Sequence, residues 1–377
     1  MVLVWSKRMA CRQRGFESAS ARWGLRIVVT LVVNLAVPQS AVAFANVPNM
    51  GRLQMRGFGL STMRMSSVGV LPVTGQERRE ARLDEDGLCR INRDLREGTK
   101  TRYVTRVMYD GTHFQGYQLQ PGGRRTVQGI LEEKLTQRYQ IYVPIVASGR
   151  TDQGVHARGQ TVHFDLPNPD ENMDDFMSTM NRMLPDDVRV WNASHAPPPW
   201  PDQQENSLPW HSMTNARSKV YSYRLFLGDI LSPLDRLYRV HAQKAALCRH
   251  IDRDLMLRSL PLFIGKHDFG GFGNKAEKKA KEMIAHGKQE FNTVREIYSA
   301  TAVDEGGGNL RLEFHIDGAL YRMVRNIVGT MLAVGAGRVD LDVIEEIFSS
   351  GVRPTNKIYS APPEGLTLET VLYDEYR

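Results

Sequence analysis

The feature that most constrains the fold is an order of secondary-structure elements that occurs twice along the chain. Alternation of apolar and polar residues with period two marks strands, and apolar residues three to four apart mark helices. From residue 102 these patterns predict the order β-α-β-β-α-β, and the same order returns from residue 219. The repeat is one of elements and not of literal sequence. The chain is therefore predicted to be α+β, with two tandem halves whose antiparallel sheets join around a central cleft.

The same patterns set the boundaries of the halves. The N-terminal half, residues 101–195, has predicted strands at 102–109, 142–147, 160–165 and 188–193 and predicted helices at 126–139 and 170–184. A Pro-rich, polar connector at 196–215 separates the halves. The C-terminal half, residues 216–377, has predicted strands at 219–226, 293–303, 310–317 and 366–373, and predicted helices at 250–265, 321–336 and, as an insertion, 340–349.

Residues 1–76 have the composition of a targeting presequence. An apolar run at 27–37, too short to span a bilayer comfortably, precedes a small-residue cleavage pattern, which is typical of a signal peptide of about residues 1–43. Residues 44–76 contain no acid and are transit-like. A signal peptide followed by a transit peptide resembles the bipartite presequences of secondary plastids. We therefore expect an organellar protein and favour the plastid as its location over the mitochondrion or simple secretion. We expect no membrane contact in its mature form.

The rest of the chain carries little net charge. Nine basic side chains against one acid give residues 1–76 a charge of +8, so the chain total of +7 leaves −1 for residues 77–377. A basic surface for an anionic partner must therefore be local. Residues 77–100 are predicted to be a charged linker. The Lys-rich stretch 274–288 could bind phosphate backbone, but a solvated loop or helix is the favoured interpretation. The three cysteines are widely spaced and fit neither a disulfide framework nor a zinc site.

The stretch SGRTDQGVHARGQTVHF, residues 148–164, concentrates chemically active side chains on a glycine-shaped loop. Asp152 beside Arg150 suits a nucleophile or a general base, and equally an Asx-turn in which Asp152 caps its own loop. His156 and His163 could join Asp152 in a metal site, as in a metal-dependent hydrolase. Histidines hydrogen-bonded within the loop and strand are the favoured interpretation, because no further ligand pair lies nearby.

This stretch closely resembles the signature loop of TruA-type tRNA pseudouridine synthases, G-R-T-D-x-G-V-H-A. Four further segments match the family in the same order: YDGTHFQGYQLQ (109–120) with TVQGILEEKL (126–135), ARSKVYSYRLF (216–226), MVRNIVGTMLAVGAG (323–337) and APPEGLTLETVLYD (361–374). The resemblance covers about residues 102–376. It implies the pseudouridine synthase fold, in which both halves are ferredoxin-like.

The resemblance also implies a function. The chain would isomerise uridine to pseudouridine in the anticodon arm of tRNA, around positions 38 to 40, as a homodimer that needs no metal and no organic cofactor. Asp152 matches the aspartate that attacks the target nucleotide, and Arg150 the arginine that helps take the base out of the stack. Tyr221 matches the tyrosine that packs on the base, and Arg325 the arginine that pairs with the aspartate. The alternative is a non-catalytic RNA-binding module or RNA chaperone that keeps the fold.

Further contacts with substrate are expected from four more residues: Arg217, Lys219, His156 and Leu366. The chain also departs from the family pattern at three positions, which bear on the range of substrates and not on the catalytic set. The family usually has Trp where this chain has Tyr117, an arginine where it has Met213, and often Phe where it has Ala319.

Overall fold

The two halves share one continuous sheet. The computed structural model describes residues 100–167, 170–198, 209–274 and 292–373, all within one compact unit. The presequence, the linker and nearly all of the Lys-rich stretch lie outside these ranges. In the first half the elements are β1 (Thr101–Tyr109), α1 (Val127–Tyr139), β2 (Val146–Ala147), β3 (His156–Leu166), α2 (Met173–Met183) and β4 (Val188–His195).

The second half contains the predicted elements and several short additions. Its strands are β5 (Ala216–Phe226), β6 (Val240–His241), β7 (Gly265–Asp268), β8 (Val294–Gly306), β9 (Asn309–Ile316) and β10 (Leu366–Tyr373). Its helices are α3 (Ala242–Ala246), α4 (Arg253–Arg258), α5 (Met323–Gly335) and α6 (Val343–Ser350), with a 3-10 turn at Leu260–Phe263. None of the helices in the described ranges is both long and apolar enough to cross a lipid bilayer.

Sheet topology confirms the tandem α+β architecture. Among the described residues the strand order is β4-β1-β3-β10-β5-β9-β8-β7, with β2 paired to β3 and β6 to β5. The first half therefore has the order β4-β1-β3-β2, and the second half repeats it as β10-β5-β9-β8, since β5, β8, β9 and β10 are its four core strands. The halves join where β10 lies parallel to β3, with Thr367 opposite His156 and Leu368 opposite Ala157.

Local sequence explains where the main helices begin and why they pack. The Thr126 side chain accepts a hydrogen bond from Gly129 N and so caps α1, and the Asn172 side chain caps α2 by accepting from Asp174 N and Asp175 N. Every residue of α5 is buried, as expected for a helix that is apolar on nearly all sides.

Three element predictions were wrong in extent. The helix expected at 250–265 is only the six-residue α4, because Pro261 lacks an N–H and clashes with the preceding turn, so the chain continues as a 3-10 turn. The strand expected at 142–147 is paired only at Val146–Ala147. β3 begins at His156, earlier than expected, because its first residues pair with β10 of the other half.

Candidate active site

The signature loop lies where the two halves meet. It connects β2 to β3, and β3 begins beside β10 at the joint between the halves. Gly154 adopts a left-handed φ of +78°, and Gly116, whose φ is +98°, lies against the Thr151 carbonyl. The loop is fixed from within by Val155 N, which donates to the Asp152 carbonyl at 3.2 Å. The backbone thus holds the Asp152 side chain in one direction.

A salt bridge between the halves defines the centre of the site. Nη1 of Arg325, in the first turn of α5, lies 2.9 Å from Oδ2 of Asp152. Arg325 is 8% exposed, and its Nε donates to the Ala361 carbonyl at 2.7 Å. A buried guanidinium without a carboxylate partner would be strongly destabilising, so each charge of the pair stabilises the other in the interior.

Tyr221 lies beside this ion pair on β5. It is 9% exposed, and burial raises the pKa of its hydroxyl, with Tyr109 and then Asp152 raising it further. The charge of the Asp152 carboxylate therefore acts on Tyr221 across the joint between the halves. Tyr109 in turn shares a 2.8 Å hydrogen bond between its hydroxyl and Thr151 Oγ1, so aromatic side chains flank the aspartate from both halves.

Arg150 is the exposed member of the predicted set. Its side chain is open to solvent and makes no hydrogen bond or ion pair with any described residue. A guanidinium in this state keeps all five N–H donors for a ligand. Asp152, two residues later, is partly buried, so the loop presents a free cation at its surface and a paired anion beneath it.

The four expected substrate contacts have very different settings. Arg217 is exposed near the start of β5, and Leu366 is buried at the start of β10 beside Tyr223. Lys219 Nζ lies beneath the signature loop and donates to the Ser148 carbonyl at 2.9 Å. Burial lowers the pKa of Lys219 to about 8. The partly buried Lys219 therefore bonds to the loop, and its expected contact with RNA stays a prediction.

His156 is buried and hydrogen-bonded within the protein, as the favoured interpretation of the signature loop expected. It is 5% exposed, and its Nδ1 accepts a hydrogen bond from Gly111 N at 3.0 Å. Nδ1 is therefore unprotonated, and Nε2–H donates to the carbonyls of Leu237 at 2.9 Å and Glu364 at 3.2 Å. Both ring nitrogens of His156 are bonded to backbone groups, and these bonds tie the first half to the second.

His163 is a structural residue as well. Burial lowers its pKa to about 4, so the ring is neutral near pH 7. Its Nδ1 accepts from Ser212 N at 3.2 Å and lies 2.9 Å from Ser212 Oγ. Across the described part of the chain, no group of three or more His, Cys, Asp or Glu side chains is arranged to hold a metal ion.

One functional neighbour, Gln160, was missed by sequence reasoning. It is fully buried on β3, its Nε2 donates to the Gly149 carbonyl at 2.8 Å, and its Oε1 accepts from Ser148 Oγ at 2.6 Å. The available signal was an amide side chain within a predicted strand, next to the signature loop. Such a group requires hydrogen-bond partners once it is buried, and the loop supplies them.

The three departures from the family pattern lie in dissimilar places. Tyr117 packs inside the site region at 2% exposure, and its buried hydroxyl has no hydrogen-bond partner among the described residues. Met213 and Ala319 are both exposed. Tyr117 is therefore the only one of the three that belongs to the core beneath the loop.

Comparisons with known proteins agree with this arrangement. A family model described as tRNA pseudouridine synthase matches residues 106–199 and 260–374, more than half of the chain. tRNA pseudouridine synthase A 1 of Protochlamydia amoebophila is 36% identical over 272 residues, which cover 72% of this chain and 96% of the relative. tRNA pseudouridine synthase A of Bacillus pumilus is 36% identical over 270 residues, 71% of this chain and 97% of the relative.

A chain from a solved H/ACA RNP bound to a substrate RNA containing 2'-deoxyuridine has 8% identity and a TM-score of 0.25. It covers 70% of this chain and 68% of the solved one, and a likeness this slight carries no argument. The family model and the relatives do support a family assignment, because each relative is matched along nearly its whole length. The chain, with Asp152, Arg325 and Tyr221 assembled at the joint of two ferredoxin-like halves, belongs to the TruA-type family of tRNA pseudouridine synthases, which are isomerases.

Proposed function

We propose that this chain isomerises uridine to pseudouridine in the anticodon arm of tRNA, around positions 38 to 40, with Asp152 as the catalytic carboxylate. The observation that supports it most is the 2.9 Å ion pair between Asp152 and Arg325 beside the buried Tyr221. A structural role would not require a carboxylate on a glycine-shaped loop at the junction of two halves. The choice of the anticodon arm rests on the resemblance of five sequence segments to the family.

The chemistry explains why these residue types suit the reaction. Isomerisation breaks the N1–C1′ glycosidic bond, rotates the freed uracil and forms a C5–C1′ bond, after which C5 loses its proton and N1 takes one up. Atoms and electrons balance without any external oxidant or reductant. Asp152 either forms a bond to the nucleotide or stabilises the positive charge that develops on the sugar, and a general base then takes the C5 proton. Arg325 keeps the carboxylate oriented through every step.

Access to the target uridine requires that the base leave its stack. Bases in folded RNA are reached by flipping the nucleotide out and stacking it on an aromatic side chain. Arg150, exposed and unpaired among the described residues, is free to enter the space that the base vacates. Tyr221 provides the aromatic face, and its raised pKa keeps the hydroxyl protonated during the reaction.

The decisive experiment replaces the carboxylate with an amide of the same shape. Asp152→Asn is expected to lower the rate of tritium release from tRNA containing 5-tritiated uridine by about 1,000-fold or more, while the Kd for tRNA changes by less than about threefold. Arg150→Lys is expected to lower kcat more than it weakens binding, because the planar fork is lost. Full activity of Asp152→Asn would refute the assignment, and tritium release by the unchanged chain excludes a mere RNA chaperone.

The position of the target is tested with the RNA. Transcripts in which uridine at position 38, 39 or 40 is replaced one at a time by cytidine should each lose pseudouridine only at the replaced position. Modification confined to another arm of the tRNA would contradict this part of the proposal while leaving the isomerase activity itself intact.

We also propose a homodimer in a plastid. Both rest on sequence: the dimer on family resemblance, and the compartment on residues 1–76. Light scattering of the purified chain should give twice the mass of 42.7 kDa, less any cleaved presequence. A fluorescent protein fused behind residues 1–76 should enter plastids, and accumulation in mitochondria or in the medium would exclude that location.

A further inference from the structure

The start of the signature loop is held at two successive carbonyl groups. The Ser148 carbonyl accepts from Lys219 Nζ at 2.9 Å, and the Gly149 carbonyl accepts from Gln160 Nε2 at 2.8 Å. Gln160 belongs to the first half, as the loop does, whereas Lys219 belongs to the second. The first residues of the loop are thus fixed by one donor from each half.

Lys219 is an unusual residue to find in this place. Its ammonium is in direct contact with the loop, because a Cβ added to Gly149 would lie only 2.7 Å from Nζ. No carboxylate oxygen of the described residues lies within ion-pair distance of Nζ, and burial lowers the pKa of the group to about 8. A cation that is partly removed from water and, among the described residues, is compensated by a carbonyl dipole is costly to the fold, so a purely structural role would be better filled by an apolar side chain.

Strand geometry links Lys219 to the catalytic centre. Side chains two residues apart on a strand share a face, so Lys219 and Tyr221 lie on the same face of β5. Lys219 contacts Ser148 at the beginning of the loop, and Tyr221 lies close to Asp152 four residues later. With Arg325, the second half therefore contacts both ends of the segment that carries Arg150 and Asp152.

We propose that Lys219 is a positioning residue, whose hydrogen bond to the Ser148 carbonyl sets the height and direction of the loop bearing Arg150 and Asp152. This inference rests on the proposed function and deepens it. It replaces the expectation that Lys219 contacts RNA. Because Asp152 follows Ser148 by only four positions, a shift at the first is transmitted to the second, and displacement of about 1 Å at a reacting group costs on the order of 100-fold in rate.

The test is Lys219→Met, which keeps the length of the side chain and removes its donor and charge. We expect kcat for tRNA to fall by about 10- to 100-fold while KM and the Kd for tRNA change by less than about twofold. Lys266→Met, the same substitution at an exposed lysine of β7, serves as the matched control and should leave kcat and KM unchanged. A rise in KM with unchanged kcat and a weaker salt dependence of binding would identify an RNA contact and overturn the proposal. Unchanged kcat and KM would overturn it as well.

A second variant tests the same idea from the other half. Gln160→Met removes the donor to the Gly149 carbonyl, and we expect it to lower kcat with little change in KM. In the double variant the losses should be less than multiplicative, since both donors act through one loop, and independent losses would contradict the proposal. If Lys219→Met does not fold, Lys219→Gln is tested in its place, because glutamine is neutral but keeps an N–H donor. A fall in kcat with little change in KM again supports the proposal, and a rise in KM with unchanged kcat overturns it. Loss of activity in Asp152→Asn with no effect of Lys219→Met would overturn this inference alone.

Discussion

At the scale of single residues, burial governs what the site can do. Arg325 and Asp152 are both largely removed from water, and their 2.9 Å contact replaces the solvation that each charge has lost. Arg150, two residues from Asp152, stays in solvent and keeps its donors. The same loop therefore carries one charge that is fixed for chemistry and one that is free for binding.

Tyr117 gives a prediction about stability. Its hydroxyl is buried with no hydrogen-bond partner in the described part of the chain, which costs about 1–3 kcal/mol. Tyr117→Phe is therefore expected to raise the free energy of unfolding in urea by about 1 kcal/mol. Tyr109→Phe is the matched control: it breaks the 2.8 Å hydrogen bond to Thr151 Oγ1 and should lower that free energy by about 1 kcal/mol. A loss of stability in Tyr117→Phe would show that the hydroxyl has a partner in solution.

Lys219 gives a prediction about pH. Its pKa is about 8 in the folded chain against 10.5 for the free side chain, so between these values the unfolded state binds more protons. The free energy of unfolding should consequently rise with pH over that window. Relative to Lys219→Met, the unchanged chain should gain roughly 2–3 kcal/mol between pH 8 and pH 10.5, measured by urea denaturation at each pH. A difference that falls or stays flat across this range would contradict a buried ammonium.

At the scale of elements, helix α5 sets the position of Arg325. Gly329 follows Arg325 by one turn and faces the segment that ends at Ala361, whose carbonyl accepts from Arg325 Nε. A Cβ on Gly329 would lie 1.8 Å from the Tyr359 carbonyl oxygen, which no side chain tolerates. The glycine lets the helix approach closely enough for its arginine to reach Asp152.

Gly329→Ala is therefore expected to lower activity indirectly, by displacing Arg325. The helix must move away from Tyr359, and Arg325 moves with it, so kcat should fall by about 100-fold in the molecules that remain folded. Gly337→Asn, after the end of the same helix, has open space around its Cβ and a φ of +64° that asparagine accepts, so its kcat should be unchanged. Wild-type kcat in folded Gly329→Ala would show that the close approach is not needed to place Arg325.

At the scale of the whole molecule, the chain order makes the halves interdependent. The last strand of the described chain, β10, lies between β5 of its own half and β3 of the other. Without β10, strand β3 of the first half and strand β5 of the second would each lose a pairing partner. The candidate active site lies at the same joint. Opening the joint would separate Asp152 from Arg325 and Lys219 from Ser148 in one event.

We therefore expect the two halves to unfold together. Urea denaturation followed by far-UV circular dichroism and by tryptophan fluorescence should give coincident single transitions, since no boundary divides the shared sheet. Trp191 and Trp210 report on the first half and the connector, whereas circular dichroism reports on both halves. Two separate transitions would mean that the halves are independent domains that merely touch.

The local sequence determined much of this protein. Hydrophobic periodicity predicted the element order, and β10 begins and ends as predicted at Leu366 and Tyr373. Resemblance to the family identified the candidate set: Asp152 and Arg150 in the signature loop, Tyr221 in segment 216–226 and Arg325 in segment 323–337. These features are readable because backbone geometry, capping and apolar periodicity depend on neighbours within a few residues.

Only the tertiary structure decided which distant groups meet. Asp152 and Arg325 are separated by 173 residues, and nothing local fixes their 2.9 Å contact. Strand alternation could place Lys219 and Tyr221 on one face, but it could not show that the loop lies on that face. The bond of Lys219 to the loop and the bond of His156 to the second half therefore came from the tertiary structure. The physical reason is that long-range contacts follow from how the sheet edges of the two halves pair, and that pairing minimises the free energy of the whole chain rather than of any one segment.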